Sequence, residues 1–200
     1  SLAAGECGAK ARGTVLILMS GEKYLQLDNG QQYETGVFLG EMYKPYEAVV
    51  AAGFAVEFAT PDGVAPHIDP GSLQDKYWET PQARDAALAF TRANQAVQNP
   101  LSFEEVFRRQ EQYIGLIIPG GQGLMVDLLK DDRVPRLFQA FAANGRAVGL
   151  VCHAPALLLS LPADANPFAG YQVNSVTGTE EWFSETFIIG GQPGVRGSAD

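Results

Sequence analysis

The sequence predicts an α/β protein in which a mostly parallel sheet carries helices on both faces. The first observation is a set of short, continuous apolar runs, including 14–19 and 114–118, which suit strands buried on both faces. The second is that stretches with helical spacing alternate with these runs. The third is the order at 147–156, where a buried strand leads into a cysteine and then into an apolar helix.

The individual elements follow in chain order. Strands are predicted at 14–19, 54–59, 114–118 and 147–151, with a further short strand at 170–174. The polar, glycine-containing stretch 20–32 is predicted to be a loop. Helices are predicted at 35–52, 81–98, 132–143 and 154–160. Ser102 and Glu105 have the spacing of a capping box, which begins a short helix before the third strand.

Two features interrupt this alternation. Pro45 lies inside the first helix and has no N–H, so we expect the helix to kink or restart there. The interval 60–113 is too long for a simple crossover between strands, and it predicts an inserted helical flap at about 62–105. We predict one domain over 13–200, preceded by a flexible leader at 1–12.

The composition excludes some classes of partner. The chain has 200 residues and a formal net charge of −9 at pH 7. Its 14 basic residues are scattered, so no phosphate-binding surface is predicted and nucleic acid is not expected as a partner. No apolar run reaches the length of a membrane span, so no membrane partner is expected.

The cysteines bear on the compartment. Cys7 and Cys152 do not make a disulfide framework, which favours a reducing compartment such as the cytoplasm. The chain begins at Ser1 rather than at a methionine, so we expect it to be processed or trimmed. A removed signal peptide leaves a periplasmic location open.

Cys152 is the main candidate nucleophile. A side chain at a strand-to-helix turn is held at the carboxyl edge of the sheet, where reacting groups of α/β proteins collect. The first free N–H groups of the following helix favour thiolate over thiol. The alternative is a buried structural cysteine, which packs as a small hydrophobic residue. The turn position favours catalysis or redox sensing.

Three acids and one imidazole are candidate partners of this thiol. His153 follows directly and could shuttle protons. Adjacent residues at a sharp turn usually point apart, so a carboxylate must orient the ring, and Glu180 and Glu181 are the candidates. Glu41, near the predicted helix break, could donate a proton or hold a thiolate. The alternatives are that His153 only begins the helix and that Glu41 lies on a solvent face.

Gly120 and Gly121 follow the strand at 114–118 in a Pro-Gly-Gly turn. Such a turn lets backbone N–H groups approach a ligand closely. Together with the N–H of His153, these glycines could form an oxyanion hole.

A metal site is not predicted. His67, Asp62, Asp69 and Asp75 lie within one segment of the chain. Their loop has no regular ligand spacing of the kind that metal sites show.

The sequence resembles the ThiJ/PfpI superfamily. The resemblance lies in a strand followed by Pro-Gly-Gly-x-Gly, then Val-Cys-His-Ala-Pro-Ala at the next turn, with a glutamate in the first helix, and it covers about 13–181. It implies a class I glutamine-amidotransferase-like fold, which is a flavodoxin-like three-layer sandwich. It also implies that Cys152 is the nucleophile, that Glu41 hydrogen-bonds it, and that Gly120 and Gly121 help to form the oxyanion hole.

The flap resembles one branch of this superfamily, the small heat-inducible chaperones that are also glutathione-independent glyoxalases (glyoxalase III). These convert methylglyoxal to lactate. Their Cys-His-acid triad maps to Cys152, His153 and Glu181, with Glu180 as the neighbouring choice. True glutamine amidotransferases take a histidine from far downstream, and no histidine follows His153. The resemblance implies no cofactor, a small aldehyde or other electrophilic substrate, and a homodimer.

The chain departs from this branch in two places. It has Gln122 where the branch often has histidine. Family members usually have several tens of residues between the acid and a final Gly-Gln-Pro stretch, whereas here 181–187 runs almost directly into 188–193. Either a lid helix and a strand were lost or a segment is missing.

Three functional hypotheses follow. The leading one is cysteine-dependent conversion of a small 2-oxoaldehyde. The second is a non-enzymatic stress chaperone or redox sensor, in which Cys152 oxidises to a sulfinic acid stabilised by Glu41. The third is a small-molecule amidase or isonitrile hydratase that uses the same thiol.

Overall fold

The computed structural model describes residues 11–191, and it has the predicted α/β architecture. Four strands form a parallel sheet in the order β4-β1-β5-β6, and two more form an antiparallel hairpin. In chain order the strands are β1 (Thr14–Leu18), β2 (Tyr24–Gln26), β3 (Gln32–Glu34), β4 (Ala55–Ala59), β5 (Tyr113–Ile118) and β6 (Ala147–Leu150). The α-helices are α1 (Leu39–Ala51), α2 (Pro81–Ala93), α3 (Gln95–Gln98), α4 (Phe103–Arg108), α5 (Arg133–Ala143) and α6 (Gly178–Phe183).

Strand β1 places side chains in two core layers, one on each face of the sheet. Leu16 and Leu18 belong to the layer covered by α5, whereas Ile17 and Met19 belong to the layer covered by α1 and α2. All four side chains are fully buried. A strand with both faces buried has no polar face, which explains why it reads as a continuous apolar run.

The 20–32 stretch differs from the predicted loop because it contains β2 and starts β3. Leu25, in the middle of β2, is buried against Leu27 and Ile189. Gly30 has a φ of 83° and permits the turn between the two strands. Three-residue strands carry too little alternation to be recognised in a sequence.

The first helix begins later than predicted and does not restart. Residues 35–38 are outside the helix, and Val37 pairs instead with Ile68 as an isolated parallel bridge. Helix α1 then continues as one element through Pro45. The helix predicted at 154–160 is a 3₁₀ helix (Ala154–Ser160), which begins with a proline at its first turn.

The prediction of a strand at 170–174 is wrong. No regular element forms there, and Tyr171 and Val173 are exposed. A strand needs a neighbour to pair its backbone groups, and this stretch has no partner strand among residues 11–191.

The inserted segment after β4 folds back onto the sheet edge. It contains 3₁₀ turns at Pro70–Leu73 and Asp75–Tyr77, followed by α2 and α3. The ring of Phe90 in α2 packs against Tyr46 of α1 at a centroid distance of 4.4 Å. At its end, the N–H of Leu101 donates to the carbonyl of Phe58 at 2.8 Å. The segment is therefore fixed beside the carboxyl ends of the strands.

The predicted leader, including Cys7, lies almost wholly outside the described residues, as does the end of the tail. Within residues 11–191, no helix has both the length and the apolar character needed to cross a bilayer.

Candidate active site at the carboxyl edge of the sheet

Cys152 lies in a backbone conformation that side chains rarely adopt. Its φ is 57°, and no other non-glycine residue within 11–191 has a positive φ. The N–H of Val151 donates to the carbonyl of Ile118, which ties the end of β6 to β5 just before the turn. A strained residue held by its surroundings is typical of catalytic turns. Cys152 is half-buried, so its sulfur is accessible without being fully solvated.

His153 points toward Cys152, contrary to the expectation that adjacent residues at the turn point apart. Nδ1 of His153 lies 3.3 Å from Sγ of Cys152, which is within hydrogen-bond range for sulfur. The left-handed conformation of Cys152 changes the relative direction of the two side chains. The distance permits proton transfer between sulfur and imidazole.

Glu181 is the acid that meets the imidazole. Its Oε1 lies 2.5 Å from Nε2 of His153, and both side chains are largely buried. The pair is an ion pair rather than an aligned hydrogen bond, because no aligned N–H···O bond forms at Nε2. Glu180 instead accepts hydrogen bonds from the N–H and hydroxyl of Thr177, at 2.8 Å each. The two neighbouring glutamates therefore have separate tasks, a contact to the imidazole and a helix cap.

The surroundings of His153 favour its charged form. Burial alone disfavours charge, but the contacts with Cys152 and Glu181 outweigh it and raise the pKa of His153 to about 10. The ring is therefore an imidazolium at neutral pH. Its positive charge lies beside Sγ of Cys152.

Glu41 lies next to the thiol, on the other side of Gly120. It is in the first turn of α1, and its Oε2 accepts a hydrogen bond from the N–H of Gly120 at 2.8 Å. Burial raises the pKa of Glu41, while the Gly120 N–H and the neighbouring Cys152 and His153 side chains oppose this effect without cancelling it. The carboxyl is thus able to hold a proton at a higher pH than a solvated glutamate.

Gly120 is confined between these two groups. A Cβ at this position would lie 2.6 Å from Oε2 of Glu41 and 2.7 Å from Cβ of Cys152. No side chain fits there without moving one of the two reacting groups. The glycine is therefore needed for close approach of the carboxyl and the thiol.

The predicted oxyanion hole changes in one respect. The N–H of Gly120 is occupied by Glu41, so it is not available to a developing oxyanion. The N–H groups of Gly121 and His153 have no hydrogen-bond partner within residues 11–191. Gly121 has a φ of 102°, and a Cβ there would lie 2.1 Å from the carbonyl oxygen of Gly36. The turn thus requires glycine and leaves one of its N–H groups unpaired.

The four residues weighed as metal ligands do not converge. His67 contacts Glu34, Asp69 contacts Thr35, Asp75 contacts Arg84, and Asp62 contacts Arg133. Across residues 11–191, no group of three or more His, Cys, Asp or Glu side chains is arranged to hold a metal ion.

A cavity of about 590 Å³ opens above the cysteine. Cys152, His153 and Glu41 line its base. Its other lining residues come from the hairpin, the start of α1, the flap, the Pro-Gly-Gly turn and the segment around α6, and they include Tyr33, Phe38, Asp69, Tyr77, Gln122 and Phe183. No sequence pattern points to Tyr33, which lies just beyond the predicted loop 20–32, and the pattern around Asp69 suggests only a metal ligand.

Comparisons with known proteins agree with this architecture. A family model described as ThiJ/PfpI family-like matches residues 33–193. Proteins named protein/nucleic acid deglycase HchA, from Escherichia coli O157:H7 and Shigella flexneri, are 28% identical over 189 residues, which is 92% of this chain and 64% of each relative. The chain thus spans less than two thirds of the length of these curated relatives.

Solved structures show the same fold. The Rapid Encystment Protein 24 KDa of Francisella tularensis superposes with a TM-score of 0.73 at 20% identity, over 90% of this chain and 77% of that chain. Glyoxalase III from Candida albicans superposes with a TM-score of 0.68 at 19% identity, over 86% of this chain and 71% of that chain.

The prediction that nucleic acid is not a partner is wrong, because composition alone does not exclude it. It rests on scattered basic residues, whereas relatives at 28% identity are named as deglycases of proteins and nucleic acids. Net charge tests for a surface that binds many phosphate groups. It does not test for an enzyme that acts on a small adduct attached to a nucleic-acid base, because only the adduct has to enter the cavity.

Proposed function

The chain belongs to the ThiJ/PfpI-like family, and on this basis we propose that it converts small reactive 2-oxoaldehydes to hydroxy acids through Cys152. The model reaction is methylglyoxal to lactate, without glutathione or another cofactor. One observation carries the proposal, the row of contacts from the Cys152 sulfur through the His153 ring to Glu181. The name of the Candida albicans structure, glyoxalase III, supports the reaction class.

The first step is addition of sulfur to the aldehyde. The Cys152 thiolate forms a bond to the aldehyde carbon, and the carbonyl oxygen gains the negative charge. The free N–H groups of Gly121 and His153 stabilise this oxyanion. Nδ1 of His153 then gives its proton to the oxygen, which leaves a hemithioacetal and a neutral imidazole.

The second step moves hydrogen between the two carbons. The neutral His153 imidazole removes the proton from the former aldehyde carbon while the Glu41 carboxyl gives a proton to the ketone oxygen, which forms an enediol. His153 then returns its proton to the neighbouring carbon as the hydroxyl on the sulfur-bearing carbon gives its proton back to Glu41. The product is a thioester of lactate on Cys152. Water breaks the thioester, releasing lactate and the thiol, so the sum of all steps is methylglyoxal plus water giving lactic acid.

Glu181 and Glu41 support different stages in this scheme. Glu181 stabilises the imidazolium form of His153, which exists before the first proton transfer and again while the ring carries the proton between the two carbons. Glu41, whose carboxyl has a raised pKa, exchanges a proton with the substrate oxygen on the other side of the reacting carbon. Formation of lactate by the native chain, and its loss in Cys152→Ala, tests the proposal.

A second candidate function is removal of such aldehydes from proteins or nucleic acids. The names of the 28% identical relatives favour it. So does the cavity, because 590 Å³ lies in the range that accommodates ligands far larger than methylglyoxal. The Cys152 thiolate would form a bond to the carbonyl-derived carbon of the adduct as the bond from that carbon to the amine nitrogen breaks, and His153 would give its proton to the departing amine, which leaves the same hemithioacetal. Comparison of free methylglyoxal with a methylglyoxal-treated peptide, at equal carbonyl concentration, separates the two functions.

A further inference from the structure

Gln122 carries a buried amide oxygen that has no partner. The residue begins the 3₁₀ helix Gln122–Met125, directly after the Pro-Gly-Gly turn, and is only 9% exposed. Its Oε1 is inaccessible and accepts no hydrogen bond within residues 11–191. Gln122 lines the same cavity as Cys152 and His153. A buried polar atom without a partner is costly, so its presence beside a reacting thiol indicates a ligand group.

The backbone around Gln122 is fixed. Gly121 cannot carry a side chain because of the Gly36 carbonyl, and a Cβ at Gly123 would lie 2.8 Å from Oγ of Ser20. The glutamine therefore lies between two glycines, one packed against the Gly36 carbonyl and the other against the Ser20 side chain. Its side chain is directed by this packing rather than by a partner of its own.

We infer that the amide of Gln122 binds a hydroxyl group on the third carbon of the substrate. This inference rests on the proposed function. A hydroxyl both donates and accepts hydrogen bonds, so it pairs with Nε2 as the amide stands and with Oε1 after the side-chain amide rotates toward the cavity. Methylglyoxal has a methyl group at that carbon and satisfies neither. The preferred substrates are then hydroxylated 2-oxoaldehydes of the kind that sugars yield, and the cavity volume of about 590 Å³ has room for them.

The simplest such substrate is 3-hydroxy-2-oxopropanal, which differs from methylglyoxal by one oxygen. The same steps apply: sulfur bonds to the aldehyde carbon, hydrogen moves from that carbon to its neighbour, and water releases glycerate. The two compounds form a matched pair for measuring what Gln122 contributes. A site that pairs a substrate hydroxyl discriminates against the analogue that lacks it.

The test is the ratio of kcat/KM for the two aldehydes. In the native chain we expect 3-hydroxy-2-oxopropanal to be preferred about tenfold or more. Gln122→Leu should bring this ratio to about one, whereas Gln82→Leu, at an exposed glutamine on α2, should keep the native ratio. An equal loss for both aldehydes in Gln122→Leu, or an unchanged ratio, overturns the inference. Thermal unfolding of each variant shows whether it is folded, and Gln122→Met provides a second replacement.

A binding measurement separates this inference from the proposed function. Glycerate and lactate, the two products, are compared for their ability to protect Cys152 from iodoacetamide. Stronger protection by glycerate in the native chain, but not in Gln122→Leu, supports the hydroxyl site even when neither aldehyde is turned over. Turnover of methylglyoxal with equal protection by the two acids overturns the hydroxyl site and leaves the proposed function standing.

Discussion

The carboxylate of Glu181 lies 2.5 Å from Nε2 of His153, on the opposite side of the ring from the Cys152 sulfur. The imidazole is thus held between a carboxylate and a sulfur atom. This arrangement assigns its two nitrogens: Nε2 faces the carboxylate of Glu181 and Nδ1 faces the sulfur of Cys152. It also explains why the ring is charged at neutral pH, because both neighbours favour the imidazolium.

The raised pKa of His153 predicts a loss of stability at alkaline pH. The pKa rises from 6.5 to about 10 on folding, so the folded chain binds the proton more tightly than the unfolded chain. The resulting stability is fully present below about pH 6.5 and is lost as the pH rises through about 10. Urea unfolding at pH 6, 8 and 9.5 should show this decline.

Glu181→Gln should reduce the loss of unfolding free energy that occurs as the pH rises. Removing the carboxylate lowers the pKa of His153, and we expect a loss of about 1–3 kcal/mol of unfolding free energy at pH 6. The difference between native chain and variant should shrink at pH 9.5. The matched control is Glu180→Gln, which acts mainly on the helix cap and should change the native pH dependence much less, because the attraction between Glu180 and His153 is the smallest influence on the pKa of Glu180. If the unfolding free energy of Glu181→Gln depends on pH as steeply as that of the native chain, the ion pair does not determine the titration of His153.

Glu41→Gln should lower turnover while preserving the fold. The amide oxygen still accepts the hydrogen bond from Gly120, but the group no longer exchanges a proton. We expect kcat/KM for the aldehyde to fall about 10²-fold or more, the range for a positioned acid or base. Glu47→Gln, on the exposed side of the same helix, is the control. Activity of Glu41→Gln equal to that of the control, across pH 5 to 9, contradicts a proton-transfer role.

Gly120→Ala should separate the carboxyl from the thiol. The added methyl would meet Glu41 at 2.6 Å and Cys152 at 2.7 Å, so at least one must move. Displacement of a reacting group by about 1 Å costs on the order of 10²-fold in rate, and crowding costs about 1–3 kcal/mol of stability. At Gly149 in β6 an added Cβ has no neighbour closer than 3.7 Å, so Gly149→Ala should be mild. Equal activity of Gly120→Ala and Gly149→Ala would contradict a need for glycine between Glu41 and Cys152.

The sheet was predictable because its strands are buried on both faces. The run 14–19 that contains Leu16 and Ile17 is apolar after Thr14, so its pattern is clear, whereas the order of the strands in the sheet is known only from the structure. The hairpin was not predictable, because Tyr24–Gln26 gains its order from the contact of Leu25 with Ile189, far along the chain. Local sequence carries no record of such a contact.

Part of the candidate site was also predictable from the sequence, and part was not. Cys152 and its turn could be read from the sequence, because strand, cysteine and apolar helix are consecutive. The choice between Glu180 and Glu181 could not be read from the sequence. It depends on which of them caps α6 through Thr177 and which contacts the His153 ring. The occupied N–H of Gly120 and the unpaired oxygen of Gln122 depend on three-dimensional neighbours as well.

The measurement that tests the central claim is lactate formation from methylglyoxal without glutathione, in the native chain, Cys152→Ala and Cys7→Ala. We expect lactate at rates that depend on native chain concentration, retained in Cys7→Ala and lost in Cys152→Ala. Folding of each variant is checked by circular dichroism. Lactate formation by Cys152→Ala at the native rate, or none by a folded native chain whose Cys152 still reacts with iodoacetamide, would contradict the proposed reaction.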